Sequence, residues 1–251
     1  MMQTVPLLGL RFADFAPDEA VEWALARPPG APFEYVVTPN ADHLVRLARE
    51  PALKSIYQQA VLRLLDSRVV ARAARVFGLA APRVVTGSDL TRLLIRKLPA
   101  NESVTIIGLH AAWESRLRQQ TGLTAIWHYD PPKGFEHDAA ELAEAVQFVI
   151  DHPSRFILLA VGSPRQEKLA AAIAASGQAT GLGLCVGASL EFLAGVVPRA
   201  PQWVQTAGLE WLHRLLRDPR RLASRYLLRD PAIFPLLLRE RAGQTGSVAL
   251  R

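Results

Sequence analysis

The sequence is poor in the residues that build disulfide-stabilised, metal-binding or membrane-spanning proteins. Its one cysteine, Cys185, cannot form an internal disulfide or a thiolate metal site, and it suits a reducing compartment. The six histidines are scattered, with no pair at the spacing that ligates a metal on a helix, so no metal site is expected. No apolar run reaches the roughly 18 residues that cross a bilayer, and the N-terminus lacks the basic segment of a signal peptide. The sequence therefore predicts a protein that is soluble or bound at a membrane surface.

Common nucleotide-binding signatures are also missing or weak. There is no GxxxxGK[ST] phosphate loop, and no Asp-x-Asp pair that would hold a metal ion against a diphosphate. Gly181, Gly183 and Gly187 resemble a dinucleotide fingerprint, but they lie in an apparent strand, and no ribose-binding acid follows at the usual distance. A nicotinamide-dependent oxidoreductase is an alternative that rests on this pattern alone.

What the sequence does contain is a regular alternation of strand-like and helical patterns. Half of the residues are hydrophobic, enough for one large domain or for a domain with an appendage. Runs rich in β-branched residues, each next to a helical pattern, occupy residues 33–38, 103–109, 155–161 and 180–187. This alternation predicts an α/β fold, a Rossmann-like parallel sheet with flanking helices. In such sheets ligands bind where strands end and helices begin. The turns of this kind span residues 38–43, 108–113, 162–167 and 187–192.

The turn GSPRQE at 162–167 has two interpretations. Ser163, Pro164 and Gln166 fit a capping box, in which the Gln166 side chain folds back on the Ser163 amide. Asn40 and Asp89 likewise fit caps of the helices that follow them. Helix N-termini, however, also offer free amides and a positive dipole to a phosphate, so the turn is either a cap or part of a binding site.

The net charge of +6 is confined to the end of the chain. Residues 211–251 contain nine arginines, no lysine and three acidic residues, whereas residues 1–210 hold equal numbers of acidic and basic side chains. The arginines alternate with Leu, Trp and Tyr, a pattern typical of helices that lie in an anionic membrane interface. We therefore divide the chain into an α/β domain (1–207) and a basic amphipathic, C-terminal Arg-rich helical appendage (208–251). A solvated basic face and a non-enzymatic nucleic-acid-binding module remain alternatives.

Several motifs occur together in an order and at separations that identify a family. They are VVTPNADHLV (36–45), Asp66 with RVVARAARVFG behind it, RVVTGSDL (83–90), AVGSPRQEKL (160–169), VGASLEFLAGVVPRAPQW (186–203) and GLEWLHRLLRDPRRLASRYL (208–227). Over residues 33 to 234 the sequence resembles the WecB/TagA/CpsF glycosyltransferases, glycosyltransferase family 26. The resemblance implies an inverting transferase that needs no metal and no cofactor. It would move a sugar, often of the N-acetylmannosamine type, from a UDP-sugar to a polyprenyl-diphosphate-linked acceptor.

The resemblance also implies where such an enzyme works. It would act in cell-surface polysaccharide biosynthesis, in the cytoplasm, peripherally bound to the anionic inner face of the cytoplasmic membrane. Nucleic acid is not an expected partner of a member of this family. A homo-oligomer is compatible with the sequence.

The resemblance assigns roles to individual residues. Asp66 matches the proposed general base, and Thr38, counted with it as catalytic, forms a sugar-site pair with Asn40. Arg83 matches the arginine before the Gly-x-Asp motif, and Gln166 matches the glutamine of the Pro-x-Gln-Glu turn. Asn40, Arg83 and Gln166 are therefore expected to bind substrate. The turn at 162–167 is expected both to cap its helix and to bind the donor, with Gln166 pointing into the cleft.

Two positions depart from the family pattern, and three arginines complete the predicted site. Ser67 stands where the family often has glycine, and Glu191 stands where aspartate is common before FLAG. Glu191 is also counted among the substrate-binding residues, with a role in supporting the packing as the alternative. Arg214, Arg221 and Arg225 are expected to contact the membrane or the acceptor diphosphate, which suits guanidinium chemistry.

Overall fold

A six-stranded parallel sheet forms the centre of the computed structural model, which describes residues 2–248. The strands of the described chain are β1 (Thr4–Leu7), β2 (Leu10–Ala13), β3 (Glu34–Val37), β4 (Leu62–Arg63), β5 (Val104–Gly108), β6 (Ile126–Tyr129), β7 (Phe156–Ala160) and β8 (Leu182–Cys185). β1 and β2 pair in a separate antiparallel hairpin, and the others form the sheet in the order β4-β3-β8-β7-β5-β6. The predicted α/β fold is confirmed.

Helices cover both faces of this sheet. They are α1 (Pro17–Leu25), α2 (Ala41–Leu47), α3 (Pro51–Gln59), α4 (Arg68–Val76), α5 (Gly87–Lys97), α6 (Glu114–Thr121), α7 (Ala139–Asp151), α8 (Arg165–Ser176), α9 (Ser189–Leu193), α10 (Gln202–Ala207), α11 (Glu210–Arg217), α12 (Pro219–Ala223) and α13 (Ile233–Val248). A π-helical turn (Ser224–Arg229) and a 3-10 turn (Asp230–Ala232) join α12 to α13. No helix within residues 2–248 is long and apolar enough to cross a membrane.

All four predicted strands are present, because their residues are apolar and both faces of a central parallel strand are buried. β5, for example, is buried at every position. The strands that the sequence did not reveal are short or lie at edges. β4 has two residues, and β6 carries an exposed Trp127 and a polar His128 at the end of the sheet. Gly183 lies inside β8, where an added Cβ would meet the Phe33 ring at 2.5 Å, so packing accounts for this glycine.

The core has one layer on each face of the sheet, because successive strand residues point to opposite sides. Ile107 and Leu159 face the layer formed by α2, α3, α4, α7, α8 and α13, whereas Ile106 and Leu158 face α1, α5, α6 and α9. The arginine-rich segment also contributes to this core. Ile233 at the start of α13 is buried among the residues of the first layer. The boundary at residues 207/208 stays a prediction, but the described part of the segment packs on the body of the protein.

The helix starts confirm one predicted cap and correct two. Asn40 caps α2 by accepting the backbone N–H of His43. α5 begins earlier than predicted, with Thr86 as its N-cap, and Asp89 lies in the first turn. The capping box at α8 is wrong, since Pro164 occupies the N-cap and no side chain caps that helix. The Gln166 side chain has other partners, described below.

Candidate active site

A cleft of about 350 Å³ opens where β3 and β4 end, between the sheet and the arginine-rich segment. Residues after β3 and β4 and at the start of α5 form its floor: Asn40, Ala41, Asp66, Ser67, Arg68, Val69, Thr86 and Ser88. The segment from α10 to α13 forms the opposite wall, with Gly208, Glu210, Trp211, Arg214, Arg225, Tyr226, Asp230, Ile233 and Phe234 among its residues. We call this the main cleft. The arginine-rich segment therefore forms one side of the main cleft.

Asp66 lies in the floor of the main cleft, and its carboxylate accepts a hydrogen bond from the backbone N–H of Gly87 at 3.1 Å. Burial raises the pKa of Asp66 to about 7, although the Gly87 N–H and the charge of Arg214 oppose that rise. The nearby carboxylates of Glu210 and Asp89 add to it. A carboxylate with a pKa close to neutrality can take a proton from a hydroxyl group and release it again at neutral pH.

Two helix N-termini meet at Asp66. Ser67 caps α4 by accepting the N–H of Val70, and Thr86 caps α5 by accepting the N–H of Asp89. The first residues of a helix carry amides without intrahelical partners, at the positive end of the helix dipole. Because Arg68 and Ser88 line the cleft, this floor is suited to hold an anionic group such as a phosphate.

Two arginines extend from the opposite wall of the main cleft. Arg214 pairs with Glu210 at 2.6 Å and lies over the ring of Phe192. Arg225 donates to the Oδ1 atom of Asn40 at 3.0 Å, so it connects the segment to the turn after β3. Its nearest acidic groups, Asp42 and Asp230, lie at 3.8 and 3.9 Å.

Thr38 lies beneath the floor rather than in the cleft. Its hydroxyl is buried and donates to the carbonyl of Cys185 at 3.3 Å. A Cβ added to Gly87 would come within 3.0 Å of the Thr38 hydroxyl and 3.7 Å of the Asp66 carboxylate. The sequence analysis missed Gly87 and its neighbour Ser88, although both lie in the quoted motif RVVTGSDL. A glycine at the start of a helix was the available signal.

Gln166 is only 3 % exposed and does not line the main cleft. Its Oε1 atom accepts the backbone N–H of Gly187 at 2.9 Å, and its Nε2 atom donates to Glu167 at 2.9 Å. The side chain therefore joins the turn after β7 to the turn after β8 instead of pointing into the cleft. Glu167 is itself buried, and burial raises the pKa of this carboxyl.

Besides Thr38 and Gln166, three further predicted residues lie outside the main cleft. Arg83 forms surface ion pairs with Asp14 and Glu19 of the N-terminal region. Glu191 lies half-buried in α9, where burial raises its pKa against the opposing charges of Arg221 and Arg214. The side chain of Arg221 is 77 % exposed and pairs with Asp218 on its own turn.

A second cleft, of about 410 Å³, opens at the carboxyl ends of β5, β6 and β7. Its lining joins two of the predicted turns: Gly108, Leu109, Asp130, Pro131, Pro132, Lys133, Phe135, Ala160, Val161 and Arg165. Gly108 and Leu109 both have a positive φ, and the buried ring of His128 lies within hydrogen-bond distance of both of their carbonyls. The two cations at its rim, Lys133 and Arg165, outnumber the single carboxylate Asp130 in this lining.

Neither cleft presents an assembled cation site. In the part of the chain that the structure describes, no group of three or more His, Cys, Asp or Glu side chains is placed to hold a metal ion.

A comparison with models of protein families shows which family the sequence matches. The model described as "Glycosyl transferase WecG/TagA/CpsF family" matches residues 5–247. That match includes both clefts and the segment that closes the main cleft.

Proposed function

The chain belongs to the WecG/TagA/CpsF family of glycosyltransferases, and on that premise we propose that it transfers a sugar from a UDP-sugar to a polyprenyl-diphosphate-linked acceptor. The reaction is an inverting displacement that uses no metal ion, in the assembly of a cell-surface polysaccharide. The observation that carries this proposal is the ionisable Asp66 between two helix N-termini and opposite two arginines.

In the proposed step Asp66 is the general base. The acceptor hydroxyl attacks C1 of the donor sugar, and its proton passes to the Asp66 carboxylate. The C1–O bond to UDP breaks on the opposite face, and its electron pair leaves with the diphosphate. Because the hydroxyl is a poor nucleophile, a carboxylate within hydrogen-bond reach is worth roughly 10²–10⁴-fold in rate. The raised pKa of Asp66 suits it to this role near neutral pH.

The charge on phosphate groups in the main cleft needs fixed positive groups. The amides at the starts of α4 and α5 and the guanidinium of Arg214 supply them. We assign the binding of the acceptor diphosphate to Arg214, Arg225 and Asn40. Arg225 and Asn40 are hydrogen-bonded to each other. The apolar side chains of Trp211, Tyr226, Ile233 and Phe234 in the same wall suit the polyprenyl chain next to that diphosphate.

We assign the nucleotide end of the donor to the second cleft, whose excess of positive charge favours an anionic ligand. Thr38 and Gln166 act from beneath the site. Thr38 supports the turn after β3, and Gln166 holds the turn after β8. Arg83 and Arg221 stay outside this assignment because they form ion pairs elsewhere, and Glu191 stays outside it because it lines neither cleft.

The proposed place of action is the inner surface of the cytoplasmic membrane. Large apolar side chains on the arginine-rich segment are exposed, and Leu216 and Leu228 are 75 % and 76 % accessible. Exposed arginines lie beside them at positions 217, 220 and 221. Apolar burial combined with attraction to anionic lipid is the usual basis of peripheral binding. No observation favours the nicotinamide or nucleic-acid alternatives.

The test is the release of UDP from a panel of UDP-sugars, with and without a short-chain polyprenyl-diphosphate-linked acceptor. We expect acceptor-dependent turnover that persists in EDTA. Asp66→Asn is expected to keep UDP binding by calorimetry and to lose about 10²-fold or more in turnover. Asp151→Asn, an exposed carboxylate at the end of α7, is the matched control and should turn over normally.

Two results would contradict the proposal. Near-wild-type turnover by a folded Asp66→Asn protein would remove Asp66 as the base. A strict requirement for Mg²⁺ or Mn²⁺ would show that the diphosphate is held by a metal rather than by arginines and amides.

A further inference from the structure

We propose that Arg199 is a positioning residue that acts on Asp66 through Asp89 and Thr86. It holds the first turn of α5 against the Asp66 carboxylate and balances the charge of Asp89 beside it. This inference rests on the proposed role of Asp66 as the base. It concerns a residue that lines neither cleft, and it predicts in which pH range the enzyme works.

The first link is a pair of hydrogen bonds from Arg199 to two residues at the start of α5. Arg199 lies between α9 and α10, in the sequence VVPRAP. Its Nη1 atom donates to Asp89 Oδ1 at 2.8 Å, and its Nη2 atom lies 3.4 Å from the Thr86 hydroxyl. The side chains of Arg199 and Asp89 are both largely buried. A charge pair held in this way keeps a defined geometry, unlike most exposed ion pairs.

The second link joins Asp89 to Asp66 through the helix start. The Asp89 N–H donates to the Thr86 hydroxyl at 3.0 Å, and that hydroxyl donates to Asp89 Oδ2 at 2.9 Å. The next residue, Gly87, donates its N–H to Asp66 Oδ2 at 3.1 Å. Arg199 is thus hydrogen-bonded to the helix turn whose Gly87 amide donates to the Asp66 carboxylate. If that turn moved, the hydrogen bond between Gly87 and Asp66 would weaken.

The third link is electrostatic. The carboxylate of Asp89 is among the groups that raise the pKa of Asp66. Burial raises the pKa of Asp89, but the hydrogen bond and charge of Arg199, together with the Thr86 hydrogen bond and the charge of Arg92, hold that pKa below its usual range. Asp89 therefore stays ionised, with Arg199 as its compensating charge. Without Arg199, a buried negative charge near Asp66 would lose its main counter-charge.

Other charged groups face the same two carboxyls. Those around Asp66 come from α4, α5, α11 and the turns that follow: Arg68, Asp89, Glu210, Arg214, Arg225 and Asp230. Asp89 has a second, more distant partner, Arg92, at 3.6 Å on its own helix. The test leaves every group in the first set unchanged except Asp89, so a shift can be assigned to the Arg199–Asp89 pair.

The experiment is a double-mutant cycle of Arg199→Met, Asp89→Asn and the two together. The first readout is the acidic limb of the pH profile of kcat/KM. The second is a ¹³C NMR titration of the Asp66 carboxyl, assigned by its loss in Asp66→Asn. Arg199→Met should move both midpoints up by about half a pH unit, because an uncompensated anion disfavours ionisation of Asp66. Asp89→Asn should move them down, because it leaves an uncompensated cation.

The double variant should titrate within about 0.2 pH units of the wild type, since both charges are gone. Arg92→Met is the matched control and should shift the midpoint less, because Arg92 lies farther from Asp89. Arg199→Lys keeps the charge and should stay close to the wild type.

Unshifted titration of Asp66 in folded Arg199→Met and Asp89→Asn proteins would overturn the inference. If the Met variant does not fold, a folded Asp89→Asn protein with an unshifted Asp66 titration would by itself overturn the inference. The NMR titration does not depend on turnover. It therefore still tests Arg199 if Asp66→Asn proves active and the proposed function fails.

Discussion

At the scale of single residues, the main cleft depends on a carboxyl group placed where ionisation is costly. Asp66 is half-buried in the floor of the cleft, and the Gly87 amide and the charge of Arg214 only partly offset the effect of burial on its pKa. Such a residue is suited to catalysis because it binds and releases a proton near pH 7, and it weakens the fold for the same reason. Active-site groups with shifted pKa values commonly carry this conflict between stability and activity.

The conflict predicts that Asp66→Asn stabilises the protein at alkaline pH. The folded-state pKa of Asp66 is raised to about 7, so between its unfolded value and that pKa the native state binds more protons than the unfolded state. The contribution of Asp66 to the free energy of unfolding therefore falls as pH rises from the unfolded-state pKa towards 7. Asparagine does not titrate, so the variant should gain on the order of 2 kcal/mol over the wild type between pH 5 and pH 8 in urea unfolding.

Asp218→Asn is the control with the opposite sign. The hydrogen bond from Arg221 lowers the pKa of Asp218, so removing that carboxylate should cost stability at pH 8 and not increase it. If the stability difference between Asp66→Asn and the wild type does not change with pH, Asp66 is not held at a raised pKa.

At the scale of helices and turns, the arginine-rich segment has two different faces. One face lines the main cleft with Arg214, Arg225 and aromatic side chains. The other is exposed and interleaves leucines with arginines, as Leu216, Arg220 and Leu228 show. Pro219 begins α12, and Pro231 lies in the 3-10 turn, so the segment is broken into short pieces that change direction. Short pieces can follow both the protein surface and a membrane surface.

The outer face predicts binding to anionic vesicles. Arg220→Glu with Arg221→Glu, and separately Leu227→Ser with Leu228→Ser, should each weaken co-sedimentation with phosphatidylglycerol-rich vesicles by about tenfold or more. The expected size follows from roughly 1 kcal/mol per basic group and from the lost apolar burial. Transfer to a water-soluble acceptor should change little in either variant, because these side chains lie outside the main cleft.

The matched control makes the same charge change on the body of the protein. Arg96→Glu with Arg116→Glu alters exposed residues of α5 and α6 and should leave vesicle binding nearly unchanged. Equal losses in the two charge-reversal pairs would mean that net charge, and not the segment, governs binding.

At the scale of the whole molecule, the segment is part of the fold as well as part of the site. After closing the main cleft the chain returns through α13 and packs into the core layer formed with α2 and α4. Both clefts open at the carboxyl edge of one sheet, as expected for an open parallel α/β fold. Deleting the segment would therefore disturb the core together with the cleft, and single substitutions separate the two effects.

Neighbouring leucines in α13 test this packing. Leu237 is fully buried, whereas Leu238 is 51 % exposed. Leu237→Ala should lower the free energy of unfolding by about 2–5 kcal/mol, because it removes buried methyl groups and leaves a cavity. Leu238→Ala should change it by less than about 0.5 kcal/mol. Urea unfolding measures both, and equal effects would show that α13 does not pack as described.

The sequence by itself determined the class of the fold and the four central strands. Those strands can be recognised from short stretches of sequence, since a strand buried on both faces is apolar along its whole length. Local chemistry also predicted the cap at Asn40, where the side chain and the amide it accepts are three residues apart. The motifs identified the family because their order and their spacing are properties of the sequence and can be recognised without the three-dimensional structure.

Only the tertiary structure decided which side chains share the site. Gln166 fits a local capping box, yet it bonds to Gly187, 21 residues away. Arg83 pairs with the N-terminal region, and Asp66 meets the amide of Gly87 across a gap of 21 residues. Such contacts depend on the order of strands in the sheet and on how the arginine-rich segment folds back. They join residues that are distant along the chain, so no local pattern of the sequence records them.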